Sequence, residues 1–230
     1  MNNQKVSGFV YISMSLITIL TFSFAMIAIP KSGAFCPKDC FNYPYLNSFS
    51  QYPRDFIWMY LGIVLFIWFY VFILVIHKNT PKPNRIFSRI GLFFSGSTSL
   101  IMIIDYFVQV SVVPVSLKNN ETQGLPLIIQ YNPHGVFIAL EEIGLILMSI
   151  SFAFVGFVFD GKDKLSRIIK YLLWIPIIVT LFSFILITYQ YGLDRKDRCE
   201  VIIISTNWIV LIISGFLIKS HTNQSKKRED

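Results

Sequence analysis

Residues 57–76 read IWMYLGIVLFIWFYVFILVI, a run of 20 residues without a charged side chain. As a helix with a rise of 1.5 Å per residue, this run is about 30 Å long, the thickness of the hydrocarbon core of a bilayer. The whole chain has the same character: 54% of its 230 residues are hydrophobic, 14% are charged, and the mean hydropathy is +0.59. Soluble domains carry about a quarter charged residues. The composition therefore predicts an integral membrane protein.

Further apolar runs predict an all-α bundle of six transmembrane helices. The six predicted spans are 9–30, 56–77, 90–115, 133–159, 169–190 and 201–218. The loops between them are too short to fold separately, so residues 1–230 are expected to form a single membrane domain. A cleaved signal peptide at the start would leave five spans, but its apolar part is normally only about 7–15 residues long. The first apolar run is longer, which favours an uncleaved helix.

The basic residues predict the orientation of the bundle. With the N-terminus inside, thirteen of the 20 Lys and Arg residues fall on the inner side and seven on the outer side. Cytoplasmic loops are enriched in Lys and Arg, so both termini are predicted to be cytoplasmic, with the plasma membrane as the expected membrane. A basic inner surface that faces anionic lipid explains the net charge of +7. The expected partner is therefore the lipid bilayer. A second membrane protein or another copy of the chain is a further candidate partner, and no nucleic acid is expected.

The three cysteines agree with this orientation. Cys36, Cys40 and Cys199 all fall on the predicted outer side, where disulfides persist. A bond between Cys36 and Cys40 would close the CPKDC segment locally, whereas Cys40 with Cys199 would join the first outer loop to the last. The sequence leaves this pairing open. Metal binding by the two nearby cysteines is disfavoured because their loop contains no histidine, and no cofactor or metal is expected.

The segment YNPHGVFIALEEIGLIL, residues 131–147, begins like a loop and continues like a membrane helix. Asn132 is expected to cap this helix, and Pro133 suits its first turn. The helix would then run inward from the outer surface. His134 would lie at that surface as a cap or interface residue, with Glu141 and Glu142 about 12–14 Å below the helix start at 1.5 Å per residue.

The same arithmetic places polar residues of two other spans near this level. Asp105 of the third span and Asn207 of the sixth lie about 14 Å and 10 Å below their outer ends, and Gln109 shares a helix face with Asp105. A carboxylate at the centre of a membrane helix costs about 2.5–3.5 kcal/mol on insertion scales, so three at one level favour a hydrated cavity. The alternative is that these groups hydrogen-bond the helices together. The candidate residues for binding a substrate or ion are Asp105, Gln109, His134, Glu141, Glu142 and Asn207.

Three classes of function fit this pattern. The favoured hypothesis is a small-solute or proton/cation-coupled transporter that uses the carboxylate cluster, although no inner carboxylate completes a path across the membrane. The first alternative is a non-catalytic sensor, assembly factor or partner subunit. The second is an intramembrane lipid-modifying enzyme, which is disfavoured because the chain has no HExxH, GxSxG, Walker or dinucleotide motif.

Overall fold

The computed structural model describes residues 3–28 and 30–227, and the secondary structure of this part of the chain is helical throughout. The helices are α1 (Asn3–Ile27), α2 (Ile57–Asn79), α3 (Arg85–Ser111), α4 (Val113–Asn119), α5 (Leu125–Ile128), α6 (Val136–Gly156), α7 (Lys164–Tyr191) and α8 (Arg198–Lys227). Short 3-10 helices span Leu46–Gln51, Lys82–Asn84 and Gly192–Arg195. Within the described ranges, six helices are long and apolar enough to cross a membrane. The prediction of an all-α protein with six membrane-spanning helices is confirmed.

The six long helices form a closed ring. Around the ring, α1 packs on α2, α2 on α3, α3 on α6, α6 on α7, α7 on α8, and α8 on α1. In addition α6 contacts α8 across the ring. The first helix is thus part of the bundle, with the buried side chains Tyr11 and Met14 in its core. Side chains on α6 and α8 that face one another lie at the centre of the protein.

The bundle has two different ends. The loops 30–56, 112–135 and 192–197 lie together at one end, which is called the cysteine end here because it contains Cys36 and Cys40. The opposite end, called the terminal end, contains the start of α1, the end of α8 and the loops around 80–84 and 157–163. The cysteine end is the one that the charge pattern predicts to face outside.

Small residues allow the helices to approach closely. Ser99 of α3 donates a hydrogen bond to the Phe66 carbonyl of α2 over 2.7 Å, and Thr98 donates to the Gly144 carbonyl of α6 over 3.2 Å. On the other side of the ring, Ser15 of α1 donates to a carbonyl of α8 over 2.7 Å. Hydroxyl groups on tightly packed faces are typical of membrane helix interfaces. The SGSTS segment at 95–99 therefore acts in packing.

The predicted starts of the fourth and sixth spans, which bear on the acidic side chains, differ from those in the structure. The fourth span begins at Val136 and not at 133, and its N-cap is Gly135, which has no side chain to cap with. Asn132 instead accepts a hydrogen bond from the His134 N–H over 3.1 Å and donates to the Pro126 carbonyl over 2.8 Å. A short amide side chain that bonds its own backbone two residues on competes with helix formation. The sixth span begins at 198, three residues earlier than predicted, and so includes Glu200.

A disulfide and a hydrogen bond organise the first loop of the cysteine end. Cys36 and Cys40 form a disulfide with their Cα atoms 6.0 Å apart, and Cys199 is a buried free thiol on α8. The loop is joined to the start of α8 by Asp197, whose carboxylate accepts a hydrogen bond from the Ala34 N–H over 2.8 Å. Gly33 has a φ of +75°, and a Cβ at this position would collide with the Asp197 carboxylate. This contact holds the loop over the α8 end of the bundle.

Candidate functional site

Two carboxyl groups meet where α6 and α8 face each other. Glu141 is 2% exposed and Glu200 is 7% exposed. Their side chains lie within hydrogen-bonding reach of each other, and Tyr106 of α3 donates a hydrogen bond to Glu141 Oε1 over 2.7 Å. Two buried carboxyl groups in contact are stable when one proton is shared between them. Glu141 and Glu200 therefore form a buried acid pair that Tyr106 orients.

No basic side chain of the described residues forms an ion pair with this acid pair. The ion pairs among the described residues join other partners, and none includes Glu141 or Glu200. Asp105 lies close enough to Glu141 to interact electrostatically with it. Asp105 is 2% exposed, and its Oδ2 atom has no hydrogen-bond partner in the described part of the chain. The acid pair thus lies in a region that has an excess of carboxyl groups.

A cavity of about 240 Å³ connects the acid pair with the loops of the cysteine end. Its lining includes four acidic side chains: Asp55, Glu141, Asp197 and Glu200. It also includes five aromatic side chains: Phe22, Trp58, Tyr131, Phe137 and Trp208. At 1.5 Å per residue, Glu141 lies about 8 Å below the start of α6, less than the 12–14 Å expected because that helix starts later. The cavity therefore occupies the part of the bundle nearest the cysteine end.

Donors of the protein already engage the two aspartates that line the cavity. Asp55 accepts hydrogen bonds from Arg54 Nε over 2.7 Å and from the Tyr131 hydroxyl over 3.0 Å. Burial, followed by the charge of Asp55, raises the pKa of the Tyr131 hydroxyl, which therefore stays a donor at neutral pH. Asp197 accepts a hydrogen bond from the Ala34 N–H. Of the four acids that line the cavity, Glu141 and Glu200 are the two that accept no hydrogen bond from a basic side chain or a backbone N–H of the described residues.

Glu142 points away from the cavity. Its Oε2 atom forms an ion pair with Arg195 Nη2 over 2.8 Å, and the Arg195 guanidinium lies 4.8 Å from the centre of the Phe184 ring. The side chains of Glu142 and Arg195 are 8% and 32% exposed. Consecutive residues of a helix point about 100° apart, so the two adjacent glutamates serve different contacts. Glu142 fastens α6 to the segment between α7 and α8.

The other sequence candidates make structural contacts. Asn207 donates to Ser149 Oγ over 3.0 Å, and Ser149 Oγ lies 3.1 Å from Thr180 Oγ1, which links α8, α6 and α7. Asn207 is nine residues into α8, about 14 Å below its start and deeper than Glu141. The Gln109 side chain donates a hydrogen bond to the Ile128 carbonyl over 2.6 Å and accepts one from the Gln130 backbone N–H over 2.9 Å. It holds this loop segment against α3.

The structure brings Asp105 and Glu141 together and leaves His134 apart. The His134 side chain is exposed and does not line the cavity. Sequence reasoning missed Glu200 because the predicted start of the sixth span excluded it. A usable signal was present, since Glu200 lies seven residues before Asn207 and so on the same helix face. Tyr106, next to Asp105 in the sequence, was missed because a tyrosine in an apolar run does not stand out.

The described residues contain no group of three or more His, Cys, Asp or Glu side chains arranged to hold a metal ion. No protein-family model, curated protein or solved structure matches the chain.

Proposed function

We propose that the protein is a membrane transporter that takes up a proton or a small cation at the cysteine end, with Glu141 and Glu200 as the binding carboxyls. In this proposal the cysteine end faces the outside of the cell and the membrane is the plasma membrane. The observation that supports it is the cavity, which leads from the loops to a buried acid pair that forms no ion pair with any described residue. Carboxylates within membrane helices are costly, and they are functional candidates when they lie in such a cavity.

The shared proton provides a coupling step. When Glu141 and Glu200 share one proton, the pair carries one negative charge. A cation that enters the pair needs both carboxylates, so it displaces the proton, which leaves through the cavity. Proton and cation then compete for one site. Tyr106 donates a hydrogen bond to Glu141 in the structure, and we expect it to orient Glu141 in both states.

The opposite end offers a route onward, but it is closed in this conformation. A second cavity of about 490 Å³ lies at the terminal end, with Asn79, Asp160 and His221 in its lining. Between the two cavities α6 contributes side chains that are fully buried, namely Leu145, Met148 and Phe152. A packed layer between two cavities favours alternating access, in which helices move relative to one another, over an open channel.

The test is ion flux in vesicles that contain the purified protein. Proton movement is followed with an enclosed pH-sensitive dye while a gradient of sodium, potassium or protons is imposed. Flux is expected in the wild type and is expected to fall to the level of protein-free vesicles in Glu141→Gln and Glu200→Gln. Glu121→Gln is the matched control because Glu121 is exposed in a loop of the same end and does not line the cavity.

Two results would overturn the proposal. One is wild-type flux no greater than that of protein-free vesicles for every ion tested. The other is flux that both cavity variants retain at the wild-type rate.

A further inference from the structure

The cavity at the cysteine end contains hydrogen-bond donors that the protein does not use. Trp208 is 1% exposed and lines the cavity, and its indole N–H has no hydrogen-bond partner among the described residues. Gln130 also lines the cavity, and its side-chain Nε2 is buried without a partner. A buried donor left unmatched destabilises a protein, because it loses its bond to water without a replacement, and such groups are rare in native proteins. The two donors therefore call for an oxygen acceptor from outside the chain.

A basic side chain, that of Lys31, also lines this cavity. Lys31 is half-buried in the lining and belongs to none of the ion pairs between described residues. An ammonium group and two N–H donors in the lining of one cavity suit a carboxylate, which accepts several hydrogen bonds and carries the opposite charge. This part of the lining is thus suited to the anionic end of a ligand.

The acid pair is suited to the opposite charge. Glu141 and Glu200 belong to none of the ion pairs of the described residues, and the aromatic rings of Trp58, Trp208 and Phe137 lie in the same lining. Aromatic faces attract ammonium groups through their electron-rich surfaces. The cavity therefore combines an acidic, aromatic region with a region of donors and one lysine.

We propose that this cavity binds a small zwitterion of the amino-acid type, with its ammonium group at Glu141 and Glu200 and its carboxylate at Lys31, Gln130 and Trp208. The proposal rests on the transport function above, from which it takes the acid pair as the binding carboxyls. The volume of about 240 Å³ is below the roughly 300–1,000 Å³ of sites for drug-sized ligands, which limits the ligand to a small solute.

The test is binding to the full-length protein in detergent, measured by calorimetry and by thermal unfolding. Four probes separate the two ends of the ligand: alanine, propylamine without the carboxylate, propionate without the amine, and potassium chloride. Alanine is expected to bind at least about tenfold more tightly than propylamine or propionate, because each of these two probes lacks one charged group and therefore one charge-assisted contact. Equal binding of alanine and propylamine, or no binding of alanine, glycine, serine and valine, overturns the proposal.

A pair of tryptophan variants tests the donor directly. Trp208→Phe keeps an aromatic ring and removes the indole N–H, and it is expected to weaken alanine binding about tenfold or more, as for the loss of one hydrogen bond to a charged group. Trp174→Phe makes the same change at another indole N–H without a partner, which lies outside the cavity. Affinity is expected to stay unchanged in this control. An equal loss of alanine affinity in both variants contradicts the assignment of Trp208 to the carboxylate. Unchanged alanine affinity in a Trp208→Phe protein that still unfolds cooperatively contradicts it as well.

Binding and flux together distinguish the two proposals. Alanine binding that depends on Trp208 and Glu141, in a protein that moves no ion or alanine, would refute transport and leave the zwitterion site standing. Ion flux that depends on Glu141 and Glu200, in a protein that binds no zwitterion, would refute the zwitterion site and leave transport standing.

Discussion

Replacing Gly62 by alanine is expected to displace Tyr106 and break its hydrogen bond to Glu141. A Cβ at Gly62 would lie 2.6 Å from Tyr106 Cε2, whereas ordinary contact begins at 3.4 Å, so the ring must move by about 0.8 Å. Tyr106 is fully buried, and its ring is packed between those of Trp58 and Phe137 at 5.1 and 6.1 Å. A shift of that size stretches the 2.7 Å bond to about 3.5 Å, beyond the range of an O–H···O hydrogen bond.

The energetic effect has two opposing parts. Overpacking a filled core costs about 1–3 kcal/mol, while alanine in place of glycine stabilises a helix by roughly 0.5–1 kcal/mol. Gly96→Ala is the matched control, since its Cβ would meet Tyr70 at an ordinary 3.4 Å and the helix gain remains. Gly62→Ala should therefore be less stable than Gly96→Ala by about 1–3 kcal/mol.

The assay is reversible unfolding of the purified protein in mixed detergent, with ion flux as a second readout. Equal unfolding free energies for Gly62→Ala and Gly96→Ala would refute the reasoning, because they would mean that the Tyr106 ring yields without cost. Lower stability combined with wild-type flux would show that Tyr106 supports the fold without orienting the acid pair.

Three further predictions concern other parts of the molecule. Arg195→Met should lower the free energy of unfolding in detergent by about 2–3 kcal/mol. This is less than the roughly 3–5 kcal/mol for breaking a fully buried ion pair, because Arg195 is partly exposed. Adding Glu142→Gln to the same chain should restore most of the loss. Raising the pH above 10 should destabilise the wild type more than Tyr131→Phe, because the buried Tyr131 hydroxyl has a raised pKa and ionises first in the unfolded chain. A membrane-impermeant thiol reagent applied to intact cells should label a cysteine placed at Asn120 and miss one at Lys164, if the cysteine end faces outside.

Each of these predictions has its own control and contrary result. Arg198→Met is the control for the ion-pair prediction, since Arg198 forms no ion pair with the described residues. Equal losses of stability in Arg195→Met and Arg198→Met would contradict that prediction. Tyr189→Phe serves for the alkaline comparison because Tyr189 is 92% exposed, and a wild type that follows Tyr131→Phe above pH 10 would contradict the second. Labelling at Lys164 but not at Asn120 would reverse the orientation.

Local properties of the sequence predicted the spans but not all of their ends. Apolar length is a property of a continuous segment, so the run at 57–76 predicted α2 nearly to the residue. The start of α6 depended on a competition within a few residues. Asn132 can cap a helix or close a turn on the His134 N–H, and the turn forms because the Asn132 amide also reaches the Pro126 carbonyl, a partner that only the folded loop supplies.

Hydropathy, charge and residue spacing by themselves determined a membrane protein of six helices and drew attention to Asp105 and Glu141. Tertiary structure decided which acids meet. Depth along a helix follows from counting residues, whereas partners depend on how each helix is rotated and which neighbour it faces. Glu141 and Glu142 differ by one residue, yet one meets Glu200 and Tyr106 and the other meets Arg195. That choice follows from the packing of α6 against α3 and α8, which brings together residues distant in the sequence.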